Sequence, residues 1–266
     1  MVGFFLKKNF CDIWDNFFPL FVSNILLVSI MVITGLGVSY VFNYNLLAGA
    51  GAVVAACGFI MSLIFAWGIN ARKIADFAIP GIKIFFTSLK TTWFNGFVFG
   101  SFIAIFFMVM RETFKVYIAM YFESGSITGL LIAALLGWCA FVTAAALQWF
   151  VPLYYLQEEN GMFKCLKKCF ILFFDNAMFT IGIFFHNIIL LLLTVVTFGL
   201  VPGINGITVS TTNALRLRLY KYDWLEENDA FNDIEKRRNI PWDELLEEDK
   251  ESLGPRKLAS FLFPWK

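Results

Sequence analysis

Apolar residues run through this chain in long unbroken stretches, and the polar positions between them recur in a fixed order. Windows able to cross about 30 Å of hydrocarbon, roughly 20 residues of helix, lie at Phe17 to Phe42, Leu46 to Ile69, Phe94 to Met110, Ile127 to Tyr155 and Ala177 to Leu200. Helix is the expected form, because in lipid each backbone amide must be satisfied within its own segment or in a closed barrel, and these runs lack barrel-strand alternation. A further stretch, Ile204 to Leu215, is short and carries Asn205, Thr208, Ser210, Thr211, Thr212 and Asn213, so hydropathy alone counts five spans.

The order of polar residues argues for six. Lys-Lys-x-Phe-x-x-x-aromatic-Asp-Asn, followed at once by an apolar run, occurs at Lys7, Lys8, Phe10, Trp14, Asp15 and Asn16, and again 160 positions later at Lys167, Lys168, Phe170, Phe174, Asp175 and Asn176. A degenerate copy between them has Leu89, Trp93 and Asn95. Each unit reads as an amphipathic segment, a span, an outer turn and a second span. Three tandem repeats are therefore expected at about 4–70, 80–156 and 162–221, giving a transmembrane domain over 1–221 and a cytoplasmic tail over 222–266. The fold class expected is an all-α membrane protein, a six-helix transmembrane bundle of three repeats, each an interfacial amphipathic helix plus a transmembrane hairpin. With six spans, twelve lysines and arginines near the membrane face inward and only Arg111 and Lys115 face outward. That asymmetry predicts both termini on the cytoplasmic side of an inner membrane.

Within each unit the amphipathic stretch shows helical spacing, clearest at Ile82, Phe85, Phe86, Leu89 and Trp93 and repeated at Leu6, Phe10, Ile13 and Phe17. Such helices suit the inner interface. Pro80 and Gly81 predict a separate helix of this kind in the second unit. The second helix of each unit is rich in small residues, such as Gly49 and Gly58, Ala133 and Ala145, and Gly203 and Gly206, which lets backbones approach closely. Those helices are expected at the centre, with the bulky first helices toward lipid.

Composition narrows the class. A chain that is 59% hydrophobic with 33 Phe and 15% charged residues is too apolar for a soluble domain of 266 residues. The net charge of +1 hides segregated basic and acidic stretches, and no nucleic-acid partner is implied. Asp12 and Asp15 interrupt the N-terminal apolar stretch and no small-residue cleavage site follows, so a retained first span is expected rather than a removed signal. The five cysteines fall in the bilayer or on its cytoplasmic side, where disulfides are not expected. Cys165 and Cys169 lack a His or acidic partner at ligand spacing, so no metal is expected. Palmitoylation at Cys11 or Cys165 has only a weak signal. Without a phosphate loop, nucleophile elbow or paired carboxylates, no cofactor or catalytic residue is assigned and no enzyme is expected.

Two groups of polar residues remain as candidates. His186 and Asn187 in the fifth span, with Asn205, Ser210 and Asn213 of the polar sixth helix, form a candidate polar cavity. The plainer alternative is internal hydrogen bonding, with Asn24, Gln148 or a backbone carbonyl as partner of His186. Asp15, Asn16, Asn95, Asp175 and Asn176 form a repeat-related interfacial set. It suits either a site at a repeat interface or, the favoured reading, caps that accept from free helix amides. The tail carries twelve acidic residues between Asp223 and Glu251, a basic knot at Lys236, Arg237 and Arg238, and an expected helix from Pro241 through Ser252. Its last residues, Leu258 and Phe261 to Trp265, suit a return to the membrane face. Docking on the bundle, binding a membrane or cytoplasmic protein partner, and solvation all stay open for the tail.

From about Phe10 to Tyr222 the chain resembles the YesL family of bacterial membrane proteins. The likeness lies in the amphipathic segment, Asn and apolar span in mid-chain and in the Gly/Pro-containing sixth helix ending in Ala214, Leu215, Arg216, Leu217, Arg218, Leu219 and Tyr220. It implies a cytoplasmic-membrane protein, often encoded beside carbohydrate importers, with no catalytic residues to carry over. The family's Pro- and Thr-containing turn after the first span is missing, and the acidic tail is longer. The expected functions, in order, are a non-catalytic accessory or scaffold of a membrane system, a transporter or channel for a neutral or lipid-like solute, and an intramembrane enzyme.

Overall fold

The computed structural model describes residues 1–157, 161–231 and 233–256, and these form helices and turns without a strand. The apolar terminal segment from Leu258 to Trp265 lies outside the described residues. In chain order the helices are α1 (Val2–Asp15), α2 (Phe17–Phe42), α3 (Leu46–Ala75), α4 (Ile82–Ser124), α5 (Ile127–Leu147), α6 (Phe150–Leu156), α7 (Met162–Asp175), α8 (Ala177–Val196), α9 (Gly203–Glu227), α10 (Ile234–Arg238), α11 (Trp242–Leu245) and α12 (Glu247–Leu253). Helices α2, α3, α4, the α5–α6 pair and α8 are long and apolar enough to cross a bilayer. The chain is a polytopic, all-α membrane protein.

The helix boundaries follow from single residues. At Asn16 and Asn176 the backbone leaves helical geometry, with φ/ψ of −104/25 and −133/45, and this separates α1 from α2 and α7 from α8. The second unit behaves differently. α3 and α4 are divided at Pro80 and Gly81, but the amphipathic stretch of α4 continues into its span as one helix of 43 residues. The separate interfacial helix expected there is absent because Phe94-Asn95 replaces Asp-Asn, and Asn95 turns its amide to the Tyr154 hydroxyl at 2.9 Å while the backbone stays helical. The expected tail helix is likewise two short ones, interrupted at Leu246.

Close backbone approach joins α3 to α4. A Cβ added at Gly96 would lie 2.6 Å from Ser62 Cα, and one at Gly100 would lie 2.5 Å from the Cys57 carbonyl oxygen. The Ser62 hydroxyl donates across this contact to the Trp93 carbonyl at 2.8 Å. Small residues permit such contact where lipid supplies no hydrophobic drive.

The main core gathers Phe65 of α3, Phe99 of α4, Trp149, Phe150 and Leu153 around α6, Cys169 and Phe173 of α7, and Ala214 and Leu215 of α9. Phe99 and Phe150 stack with ring centroids 3.7 Å apart. α9 is the axis. Every residue from Thr208 to Leu215 is buried, and the helix packs against α1, α2, α3, α6 and α8. Of the small-residue helices, α9 and the second half of α3 are central as expected. α5 is not: Leu131, Leu135 and Trp138 are exposed because it packs mainly on α4 and α7. Phe18, Ile33, Leu36 and Tyr40 of α2 point outward.

If backbone contact sets the α3–α4 pair, Gly100→Ala lowers the thermal unfolding midpoint in detergent by an overpacking cost of roughly 1–3 kcal/mol. Gly51→Ala, where a Cβ meets nothing within 4 Å, leaves the midpoint unchanged or slightly raised. Equal effects at the two sites would remove the backbone-contact explanation.

Candidate functional site

A helix that is both polar and buried must satisfy its side chains inside the protein, and Asn205, Ser210, Asn213, Arg216 and Lys221 of α9 do so with a different neighbour at each level. At its start the chain turns back from α8 through irregular backbone. Fully buried Asn24 of α2 donates to the carbonyls of Leu200 and Pro202, both at 2.9 Å, and accepts from the Asn205 amide at 3.2 Å. Thr194 accepts from the Gly203 amide at 3.0 Å. Gly203 is required twice over: its φ is +68, and a Cβ there would lie 2.0 Å from Asn24 Nδ2. Gly199 rests on Val28. Asn24 and Val28 lie toward the middle of α2, so α9 begins beside that middle and not at the outer end. Unwound backbone at such depth is tolerated where protein groups satisfy it.

Further along α9, Asn205 donates to Ser23 at 3.0 Å and Ser210 donates to Asn187 at 2.9 Å. Asn187 in turn donates to Gln148 at 3.1 Å, and Gln148 to the Thr180 carbonyl at 3.0 Å. Asn213 donates to Asp12 of α1 at 2.8 Å. Arg216 pairs with Asp249 of the tail at 3.0 Å and with Asp76 at 3.1 Å, and also donates to the Ala75 carbonyl. Lys221 pairs with Asp175 at 3.3 Å and donates to Asn176 at 3.1 Å.

The five residues expected to line one cavity are thereby divided. Asn187 and Ser210 meet, Asn205 joins α2, Asn213 joins α1, and His186 pairs with Asn9 of α1 at 3.2 Å. Helical rotation separates them, since adjacent residues on α8 face different neighbours. The cleft that does lie between α3, α4, α5, α8 and α9 has a volume of about 450 Å³, and its polar lining is Gln148, Asn187, Thr208 and Thr211. A second cleft of about 470 Å³ lies between α2, α3 and the start of α4 and includes Asn205.

The interfacial set is also redistributed. Asn16 and Asn176 stand at the starts of α2 and α8, yet neither side chain caps the helix. Asn16 donates to the Asp12 carbonyl at 2.9 Å, and Asp15 pairs with Arg256 of the tail. Asp175 accepts from the Tyr222 hydroxyl at 2.6 Å and from Lys221 and Arg237. The cap expectation fails because Asn16 turns back to its own helix, while Asp15, Asp175 and Asn176 face cationic and phenolic groups of α9 and the tail that the local sequence does not reveal. Burial alone would raise the Asp175 carboxyl, but Tyr222, Lys221 and Arg237 together hold it below its ordinary value.

Sequence reasoning read α1 as an amphipathic interfacial helix and passed over its polar face. Leu6, Phe10 and Trp14 are exposed, whereas Lys8, Asn9 and Asp12 are buried, with Lys8 only 3% and Asp12 only 5% exposed. The helix thus turns Lys8, Asn9 and Asp12 to the protein beside buried Phe5 and Cys11, and keeps the stripe of Leu6, Phe10 and Trp14 outward. Lys8 reaches Asp12 at 3.0 Å and sits 3.5 Å from the centre of the Phe77 ring. Burial pushes the Asp12 carboxyl up and the Lys8 ammonium down, opposed in each case by the other's charge. The signal was present in the i, i+4 pairing of Lys8 with Asp12 opposite the apolar stripe. Cys11 and Cys165 are buried, which leaves an acyl-transfer enzyme no access to either. No family model matches the chain, and no curated protein or solved structure matches it either.

Two outcomes follow. Asp12→Leu or Lys8→Met alone leaves a buried charge unpaired and destabilises by roughly 3–5 kcal/mol, whereas the double variant recovers much of the loss; additive losses in detergent unfolding would contradict the pairing. Because the folded Asp175 value is depressed, its contribution is present above the unfolded value and fades as pH falls through the folded one, below the ordinary 3.8. Protease cutting of the chain near Asn228 is expected to rise in that acid window, and Asp175→Asn is expected to give the same cutting at neutral pH. Cutting that is pH-independent in the wild type would refute a role for Asp175 in holding the end of α9.

Proposed function

We propose that this protein is a non-catalytic accessory or scaffold of a membrane system, acting through its cytoplasmic face and not through chemistry in its core. One observation carries this reading: Asn205, Ser210, Asn213, Arg216 and Lys221 along α9 are each engaged by other elements of the same chain, which gives a tied structural axis and leaves the exposed chemistry to the tail. Supporting it, Leu225, Ala230, Leu246 and Leu253 bury the tail's inner side, while Glu226, Glu227, Glu247, Glu248 and Glu251 stay exposed. That outer surface suits a basic protein partner.

In the same reading the chain crosses the membrane so that both termini lie in the cytoplasm, with α9 returning it to the side from which α8 entered. The inner placement of Lys73, Lys83 and Lys167, against Arg111 and Lys115 beyond the far end of the α4 span, supports this. The recurrence of α1–α2–α3 and α7–α8–α9 supports a three-repeat origin, and the resemblance to the YesL family makes a link to carbohydrate uptake the first system to examine. A second reading, passage of a neutral or lipid-like solute, is favoured by the cleft holding Gln148, Asn187, Thr208 and Thr211.

Removing the tail would open the core at Leu225 and Leu246, so the test keeps it. Full-length protein and a version with Glu226, Glu227, Glu247, Glu248 and Glu251 changed to Lys are purified gently from native membranes, with mass spectrometry of what accompanies them. A stoichiometric partner with the first and none with the second, at equal thermal stability, supports the accessory reading. If neither brings a partner and solute flux in liposomes falls on Thr211→Val, the second reading replaces it.

A further inference from the structure

Arg218 is a cation without an ion pair among the described residues. It lies on α9 one turn before Tyr222, is 8% exposed, and its Nε is buried with no hydrogen-bond partner. Its guanidinium carbon stands 3.6 Å from the centre of the Phe179 ring and 5.9 Å from that of Trp242. The aromatic rings hold the planar fork but satisfy none of its N–H donors. Burying a guanidinium without a paired carboxylate is costly, and Asp175, the carboxylate whose charge reaches Arg218, is already shared with two other cations. Lys221 and Arg237 both pair with Asp175. Three cations against one carboxylate leave two positive charges at the elbow between α7 and α8. The adjacent Asp223 is exposed and feels Glu226 and Glu227.

This elbow sits at an apolar boundary. Phe163, Phe174 and Met178 are 88%, 71% and 85% exposed on α7 and α8, surfaces that require lipid. We propose that the elbow binds a phosphate oxyanion at the inner membrane boundary, with Arg218 as its bidentate donor and Lys221 and Arg237 as supporting charges. Arg prefers such planar, two-point recognition of phosphate. The oxyanion is either the headgroup phosphate of an anionic phospholipid or free phosphate. The inference stands apart from the accessory reading, since a phosphate site would serve a scaffold and a transporter alike.

The full-length protein in neutral detergent is melted with added phosphatidylglycerol, phosphatidylcholine or inorganic phosphate, and native mass spectrometry counts retained lipid. Phosphatidylglycerol, unlike phosphatidylcholine, is expected to raise the midpoint and to be retained as one molecule, with affinity about tenfold weaker in Arg218→Gln, as for loss of one charge-assisted hydrogen bond. Should Arg218→Gln fail to fold, Arg237→Gln, at a more exposed position, is expected to weaken binding several-fold. A rise with inorganic phosphate of the same size supports the site with a soluble ligand. No response to either phosphatidylglycerol or inorganic phosphate beyond that to phosphatidylcholine overturns the proposal, as does a response unchanged in both variants.

Discussion

Asn24 does the work that water would do elsewhere. One amide group on α2 holds the carbonyls of Leu200 and Pro202 and the amide of Asn205, and the α8–α9 turn rests on those bonds. In hydrocarbon an unsatisfied peptide group costs several kcal/mol, so the turn can lie deep only with such partners, Asn24 chief among them beside Thr194 and Thr197. Once it is fixed, the start of α9 is fixed, and the positions of Ser210, Asn213, Arg216 and Lys221 follow at helical intervals. Each then meets a partner on a different element.

The consequence is an arrangement opposite to that of a soluble bundle. Apolar side chains on α2, α5 and α8 face outward, and the most polar helix lies inside. α1 repeats the inversion at the interface by turning Lys8, Asn9 and Asp12 inward. Packing between α3 and α4 depends on the backbone approach that Gly96 and Gly100 allow, while the aromatic core around Phe65, Phe99 and Phe150 fills the space that α6 opens.

Much of the fold was legible because lipid imposes it. Length and apolarity identified the five long helices, and the recurring Asp-Asn marked the breaks at Asn16 and Asn176. The fused α4 was missed because a degenerate unit was read as if it kept the break of the intact ones, whereas Asn95 finds Tyr154 without leaving the helix. The polar residues of α9 were picked out correctly as unusual. Their partners were not, apart from Asn24 and Gln148, which were named as partners of His186 and instead serve the start of α9 and Asn187; Asp12 and Asn9 lie more than 170 positions from the groups they meet, and the facing of a helix against several neighbours is settled only in three dimensions. Asp12 looked like an interruption of an apolar stretch and is the base of a buried pair.

These long-range ties also govern the order of assembly. Asn24, Asn9 and Asp12 leave the ribosome early, yet the groups that satisfy them belong to α8 and α9. During synthesis the N-terminal helices must therefore wait at the membrane with provisional partners, such as water at the interface for α1 and lipid headgroups or insertion machinery for α2. The last third of the chain closes the structure by displacing them. Native contacts thus form for α1 and α2 only after α8 and α9 are made, and the α1–α2 pair is the part that depends on being held until its distant partners arrive.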